Sequence, residues 1–177
     1  NTPGLCAAVV SYTTPAGTDN CSGANTIQTL GLPSGASYPV GATTNIFKVT
    51  DASGNTATCA FAVSVTDTQL PTITCPANIA VANTPGLCAA VVSYTTPAGT
   101  DNCSGANTIQ TLGLPSGASY PVGATTNIFK VTDAAGNTAT CAFAVSVTDI
   151  QLPTITCPGN IAVANTPGLC AAVVSYT

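Results

Sequence analysis

The thirteen residues Asn-Thr-Pro-Gly-Leu-Cys-Ala-Ala-Val-Val-Ser-Tyr-Thr stand at Asn1, at Asn83 and again at Asn165, with 82 residues between successive starts. Sliding the sequence by 82 superimposes 95 positions (177 minus 82), and only three pairs differ: Ser53 with Ala135, Thr68 with Ile150, Ala77 with Gly159. The fold must therefore close within 82 residues and tolerate a copy of itself on either side, which is the condition of a tandem array. The 177 residues hold two periods and 13 residues of a third. Residue 177 has the neighbours of residue 13, so a longer chain is expected on both sides.

Lys48 and Lys130 are the only cationic side chains and six Asp the only anionic ones, for a net charge of -4. There is no basic patch for nucleic acid. Val, Ile and Thr are abundant, which disordered chains lack, so a folded, strand-rich chain is expected. No 18-residue apolar run and no targeting segment occurs, and no membrane insertion is expected within these residues. Nine cysteines, four per repeat, favour an oxidising compartment and disulfides. The absence of His and of any Cys-x-x-Cys points away from zinc or iron-sulfur.

Boundaries are expected in Asp67-Thr-Gln-Leu-Pro71 and Asp149-Ile-Gln-Leu-Pro153, where a proline separates two apolar alternations. The units are then residues 1–67, a module without its first strand; 68–149, a complete module; and 150–177, the first two strands of another. In the complete unit Ile73, Cys75, Ile79 and Val81 read as a first strand broken by Pro76. After the turn Asn83-Thr-Pro-Gly86 comes a second strand with Cys88, Ala90, Val92 and Tyr94 on one face. Thr95 to Gly105 is loop. Asn107 to Leu112 is a strand, a short one follows near Tyr120 and Val122, and Asn127 to Thr132 points Phe129 and Val131 inward. Asp133-Ala-Ala-Gly-Asn137 is a hairpin loop before a last strand, Thr140 to Val147, with Cys141, Phe143, Val145 and Val147 on one face. Six or seven short strands in about 80 residues predict an all-β chain of Greek-key sandwiches, immunoglobulin-like or fibronectin-III-like, set end to end.

The ordered segments Thr-Ile-Thr-Cys75-Pro, Cys88, Thr100-Asp-Asn-Cys103, Tyr120-Pro-Val-Gly123 and Val131-Thr-Asp-Ala-Ala-Gly-Asn-Thr-Ala-Thr-Cys141 resemble the HYR (hyalin repeat) module over the whole repeat. That resemblance implies an immunoglobulin-like fold and extracellular adhesion. Near-identical tandem copies are most similar to the repeat regions of long bacterial surface adhesins.

In such a topology the first and last strands run parallel and adjacent, so Cys75 is expected on Cys141, leaving Cys88 for Cys103 and, one period earlier, Cys6 for Cys21. Two other sets stay open: Cys75 with Cys88 and Cys103 with Cys141, or Cys75 with Cys103 and Cys88 with Cys141. Under the first set Cys59, Cys157 and Cys170 would find partners outside these residues. Asp67, Asp101 and Asp133, with Asn102 and Asn137, are expected at the end of the sandwich where one module meets the previous one. Their oxygens suit Ca²⁺, the one cofactor considered, against the alternative of ordinary turn chemistry.

Asn102-Cys-Ser104 matches a glycosylation sequon whose middle cysteine makes its use doubtful. Tyr94 and Tyr120 offer either a core edge or a sugar platform. Without His, Glu, Arg or Trp no catalytic constellation is expected. The function expected is a non-enzymatic shaft of an extracellular, cell-surface filament or adhesin, with identical neighbouring modules as partners. The alternative is a multivalent ligand- or carbohydrate-binding module acting through avidity.

Overall fold

The computed structural model describes residues 1–176, and among these eleven strands and no helix form. The first unit carries β1 (Ala7–Val9), β2 (Asn25–Leu30), β3 (Ser37–Pro39), β4 (Gly41–Thr50) and β5 (Thr56–Val65). The second carries β6 (Ile79–Ala82), β7 (Ala89–Val92), β8 (Asn107–Leu112), β9 (Ala118–Pro121), β10 (Gly123–Thr132) and β11 (Thr138–Thr148). With no helix present, none is long and apolar enough to cross a membrane.

In the second unit a four-stranded sheet, ordered β6-β11-β10-β8, packs against the pair β7-β9. Period-two alternation sets this packing: Phe129 and Val131 on β10, Phe143, Val145 and Val147 on β11, and Ala90 and Val92 on β7 are all buried, with Tyr120 of β9 between the layers. β10 and β11 form a hairpin in unbroken register from Gly123↔Val147 to Thr132↔Thr138, closed by the Asp133–Asn137 turn. β6 lies parallel to β11, Ile79 opposite Val145. Cys75 comes before β6 and is bonded to Cys141 with their Cα atoms 5.5 Å apart, while Pro76 keeps the segment before Ile79 out of the ladder.

One polar residue organises the core. Asn127 is fully buried, and its Oδ1 accepts from Leu114 N (2.9 Å), Gln110 Nε2 (3.1 Å) and the Tyr120 hydroxyl (3.2 Å). Gly113, at φ +93°, brings the Leu114 amide to it; a Cβ there would come within 2.7 Å of Asn127 Cγ and Thr126 O.

The first unit repeats this arrangement with one difference. Its sheets are β2-β4-β5 and β1-β3, and no strand stands beside β5 where β6 stands beside β11. Val131 is accordingly fully buried while its period mate Val49 is half-buried, and Cys59 is exposed. An apolar groove of 210 Å³ is left beside β5, lined by Ala16, Phe47, Val49, Ala57 and Cys59 among others. Residues 150–176 have the sequence of β6 and β7 but form no strand and are almost wholly exposed. The strands that hold β6 and β7 in place are β11 and β9, and nothing equivalent lies beside these residues.

Candidate functional site

The linker of each unit is clamped to that unit's own Asn-Thr-Pro-Gly turn. Asn1 Nδ2 donates to Asp67 Oδ1 (2.8 Å), Gln69 N donates to the same oxygen (3.0 Å), and Gly4 N donates to Gln69 Oε1 (2.7 Å). One period on, Asn83, Asp149, Gln151 and Gly86 make the same three bonds. Asn1, Asn83, Gln69 and Gln151 were not among the residues singled out from sequence. Their signal was the recurrence of Asp-x-Gln-Leu-Pro together with Asn-Thr-Pro-Gly, two motifs that meet only in three dimensions.

The second unit closes onto this clamp from the other side. Thr72 and Thr100 exchange backbone hydrogen bonds (2.7 and 2.8 Å), laying the linker along the Gly99–Gly105 loop, and Asn137 Nδ2 donates to Asp67 O (3.2 Å). The junction is covalent as well: Cys6 is bonded to Cys103, Cα atoms 4.9 Å apart and 97 residues apart in sequence.

That bond replaces the expected pairs Cys88–Cys103 and Cys6–Cys21. Cys88 follows the Asn83 turn, at the pole where the chain leaves its unit, whereas Cys103 sits in the loop at the pole where the chain enters. β7 and the following loop carry the chain from one pole to the other, so Cys88 cannot reach Cys103 of its own unit. It is placed instead as Cys6 is placed, towards the next unit. Cys21, Cys59, Cys88, Cys157 and Cys170 are free and exposed.

The five residues proposed for a cation divide into two groups. Asp133 is taken up by its turn: Oδ1 accepts from Asn137 N (2.8 Å) and Oδ2 from Asn137 Nδ2 (2.8 Å). Burial pushes its carboxyl up, but the Asn137 side chain and the amides of Asn137, Gly136 and Ala135 outweigh this and hold it below the ordinary range. Asp67 and Asp101 instead come together, with carboxylate oxygens and Cys103 Sγ within 4.8 Å of one another. Asp67 Oδ2, Asp101 Oδ1 and Asn102 Oδ1 are buried without a hydrogen-bond partner.

Asn102 is half-buried beside the bonded Cys103, with its Nδ2 3.6 Å from Cys103 Sγ. Tyr120 is fully buried, and Tyr94 packs edge-on to Phe143 at 4.9 Å and donates to Leu114 O (2.7 Å). Burial, with the neighbouring Tyr120 hydroxyl adding to it, pushes the Tyr94 phenol up to about 12. Both rings belong to the core and its edge rather than to an open platform.

The family described as HYR domain matches residues 2–65 and 66–147. A hyalin from Strongylocentrotus purpuratus is 37% identical over 175 residues, covering 95% of this chain and 14% of that protein. A protein from Staphylococcus aureus named serine-rich adhesin for platelets is 30% identical over 155 residues, 74% of this chain and 7% of its own length. The chain thus spans a small part of the relatives it matches. Among solved structures, extracellular cadherin domains 1-4 of protocadherin gamma B7 align over 74% of this chain and 40% of theirs, at 12% identity and a TM-score of 0.32.

Proposed function

The chain belongs to the HYR domain family, and from that premise we propose that its repeats form the shaft of an extracellular, cell-surface filament or adhesin. The Cys6–Cys103 bond carries this reading, because it joins successive units rather than stabilising one. Translated by the 82-residue period, it assigns Cys88 to the counterpart of Cys103 in a following unit, and Cys21 to the counterpart of Cys6 in a preceding one. Translating Cys75–Cys141 in the same way gives Cys59 and Cys157 their partners. The groove beside Cys59 is then the slot for a preceding copy of the Ile73–Cys75 segment, so the partners of this chain are identical neighbouring modules. Disulfides of this kind persist outside the cell. The shaft works mechanically and is not an enzyme.

The test is a series of chains with two, four and eight repeats, imaged after oxidation and again after reduction. A shaft lengthens by a constant increment per repeat and bends more freely once reduced. Compact clusters of modules with no such increment would exclude it.

A further inference from the structure

We propose that each junction between repeats binds a divalent, oxygen-seeking cation of the Ca²⁺ type through Asp67 of one unit and Asp101 and Asn102 of the next. Asp67 is only 3% exposed, and the two repeats bury it together: its period mate Asp149, whose surroundings in sequence differ by Ile150 in place of Thr68 and over which no loop is packed, is exposed. Asp67 Oδ1 is committed to Asn1 and Gln69, whereas Oδ2 has no partner. The facing loop supplies two more unpartnered, buried oxygens, Asp101 Oδ1 and Asn102 Oδ1. Its other carboxylate oxygen, Asp101 Oδ2, accepts from Cys103 N (2.9 Å) and so fixes the loop's direction.

Carboxylates removed from water need hydrogen bonds or a counter-charge. The only cationic side chains in the sequence, Lys48 and Lys130, stand on strands β4 and β10. A hard cation answers the deficit at once: two carboxylates and an amide oxygen are ligands of the Ca²⁺ kind, with water completing the shell. The sulfur of Cys103 is no competitor for it, being soft and already bonded to Cys6. Asp133 lies outside this set because Asn137 occupies both its carboxylate oxygens, and Asn137 presents its Nδ2 to Asp133 and to Asp67 O and offers no buried, unpartnered oxygen.

Titration of the oxidised chain with CaCl₂ by calorimetry tests this, with MgCl₂ as the comparison cation. One Ca²⁺ should bind per chain, since the chain holds one such junction. Asp67→Asn and Asp101→Asn should each weaken binding at least tenfold, with the circular dichroism spectrum unchanged. Asp149→Asn and Asp19→Asn, the same residues one period away but outside the junction, should leave it unchanged. Absence of binding, tighter binding of Mg²⁺ than of Ca²⁺, or equal losses from Asp149→Asn and Asp67→Asn would overturn the assignment.

Discussion

Asn127 shows how a polar side chain can hold a sandwich core together. Its Oδ1 satisfies a backbone amide, a glutamine and a tyrosine from three different segments, and Asn45 does the same in the first unit through Leu32, Gln28 and Tyr38. Asn127→Ala leaves the Leu114 amide without its acceptor, while Gln110 keeps Leu112 O and Leu114 O and the Tyr120 hydroxyl keeps Leu114 O. One stranded buried amide is expected to cost the second unit about 1 to 3 kcal/mol in denaturant unfolding. Asp133 and Asp51 act at the turns. Both carboxyls are held below the ordinary value of 3.8, for Asp51 chiefly by the Asn55 side chain. A depressed carboxyl contributes stability above its unfolded value, and that contribution is lost as pH falls through the folded one. Thermal melts between pH 6 and pH 2 should steepen below the ordinary value, and Asp51→Asn with Asp133→Asn should flatten that slope; an unaltered slope would remove the turns from the account. The turn itself could be read from Asp-Ala-Ala-Gly-Asn because its bonds are local. The role of Asn127 could not, because its partners lie 17, 13 and 7 residues away and nothing in a strand's alternation announces them.

Strands β8, β10 and β11 were readable because alternation records which face is buried, whatever the partner. Two hairpins with identical strands, β4-β5 and β10-β11, then show what a neighbour adds, since their sequences differ only in the turn, at Ser53 and Ala135. Residues 68–82 lie against the second, through β6 beside β11 and the Cys75–Cys141 bond, and Val131 is buried where Val49 is half-open. Val131→Ala should therefore cost about 2 kcal/mol, and Val49→Ala less than about 1 kcal/mol, by chemical denaturation of the same chain. Equal losses would mean that the linker does not cover β10. The Cys75–Cys141 bond closes a 66-residue loop, for which chain entropy predicts about 4 kcal/mol; replacing both cysteines by Ala should lower the second unit's stability by about 2 to 4 kcal/mol. The expected pairing of Cys88 with Cys103 gives way to Cys6–Cys103 for a physical reason. In an array with an exact period, a bond within a repeat and a bond to the next repeat leave the same sequence behind. Loop entropy prefers the 15-residue closure to the 97-residue one by less than about 2 kcal/mol. Which pole each cysteine occupies decides the matter, and that depends on the direction of β7.

The two kinds of disulfide give an array two covalent load paths that run side by side. Along one, tension passes from Cys6 to Cys103, travels 15 residues back to Cys88, and crosses to the following repeat through the bond that periodicity assigns there. Along the other it crosses from Cys75 to Cys141 and runs 16 residues through the linker to Cys157, the next counterpart of Cys75. At the reach of an extended chain, with the disulfide crossing included, either path limits a repeat to about 55 to 63 Å, whereas 82 residues without bonds could reach about 280 Å. Each path alone suffices to prevent unravelling. In single-molecule pulling of an oxidised multi-repeat chain, force should therefore produce no long unfolding steps. Replacing every counterpart of Cys6 by Ser should leave that behaviour intact, because the Cys75–Cys141 path remains, and replacing every counterpart of Cys75 should also leave it intact, because the Cys6–Cys103 path remains. Only removal of both, or full reduction, should release steps whose contour gain approaches the full 82-residue repeat. Long steps after loss of the Cys75 counterparts alone would show that the bonds between repeats do not run continuously along the array, and the shaft would then owe its strength to folding within single modules.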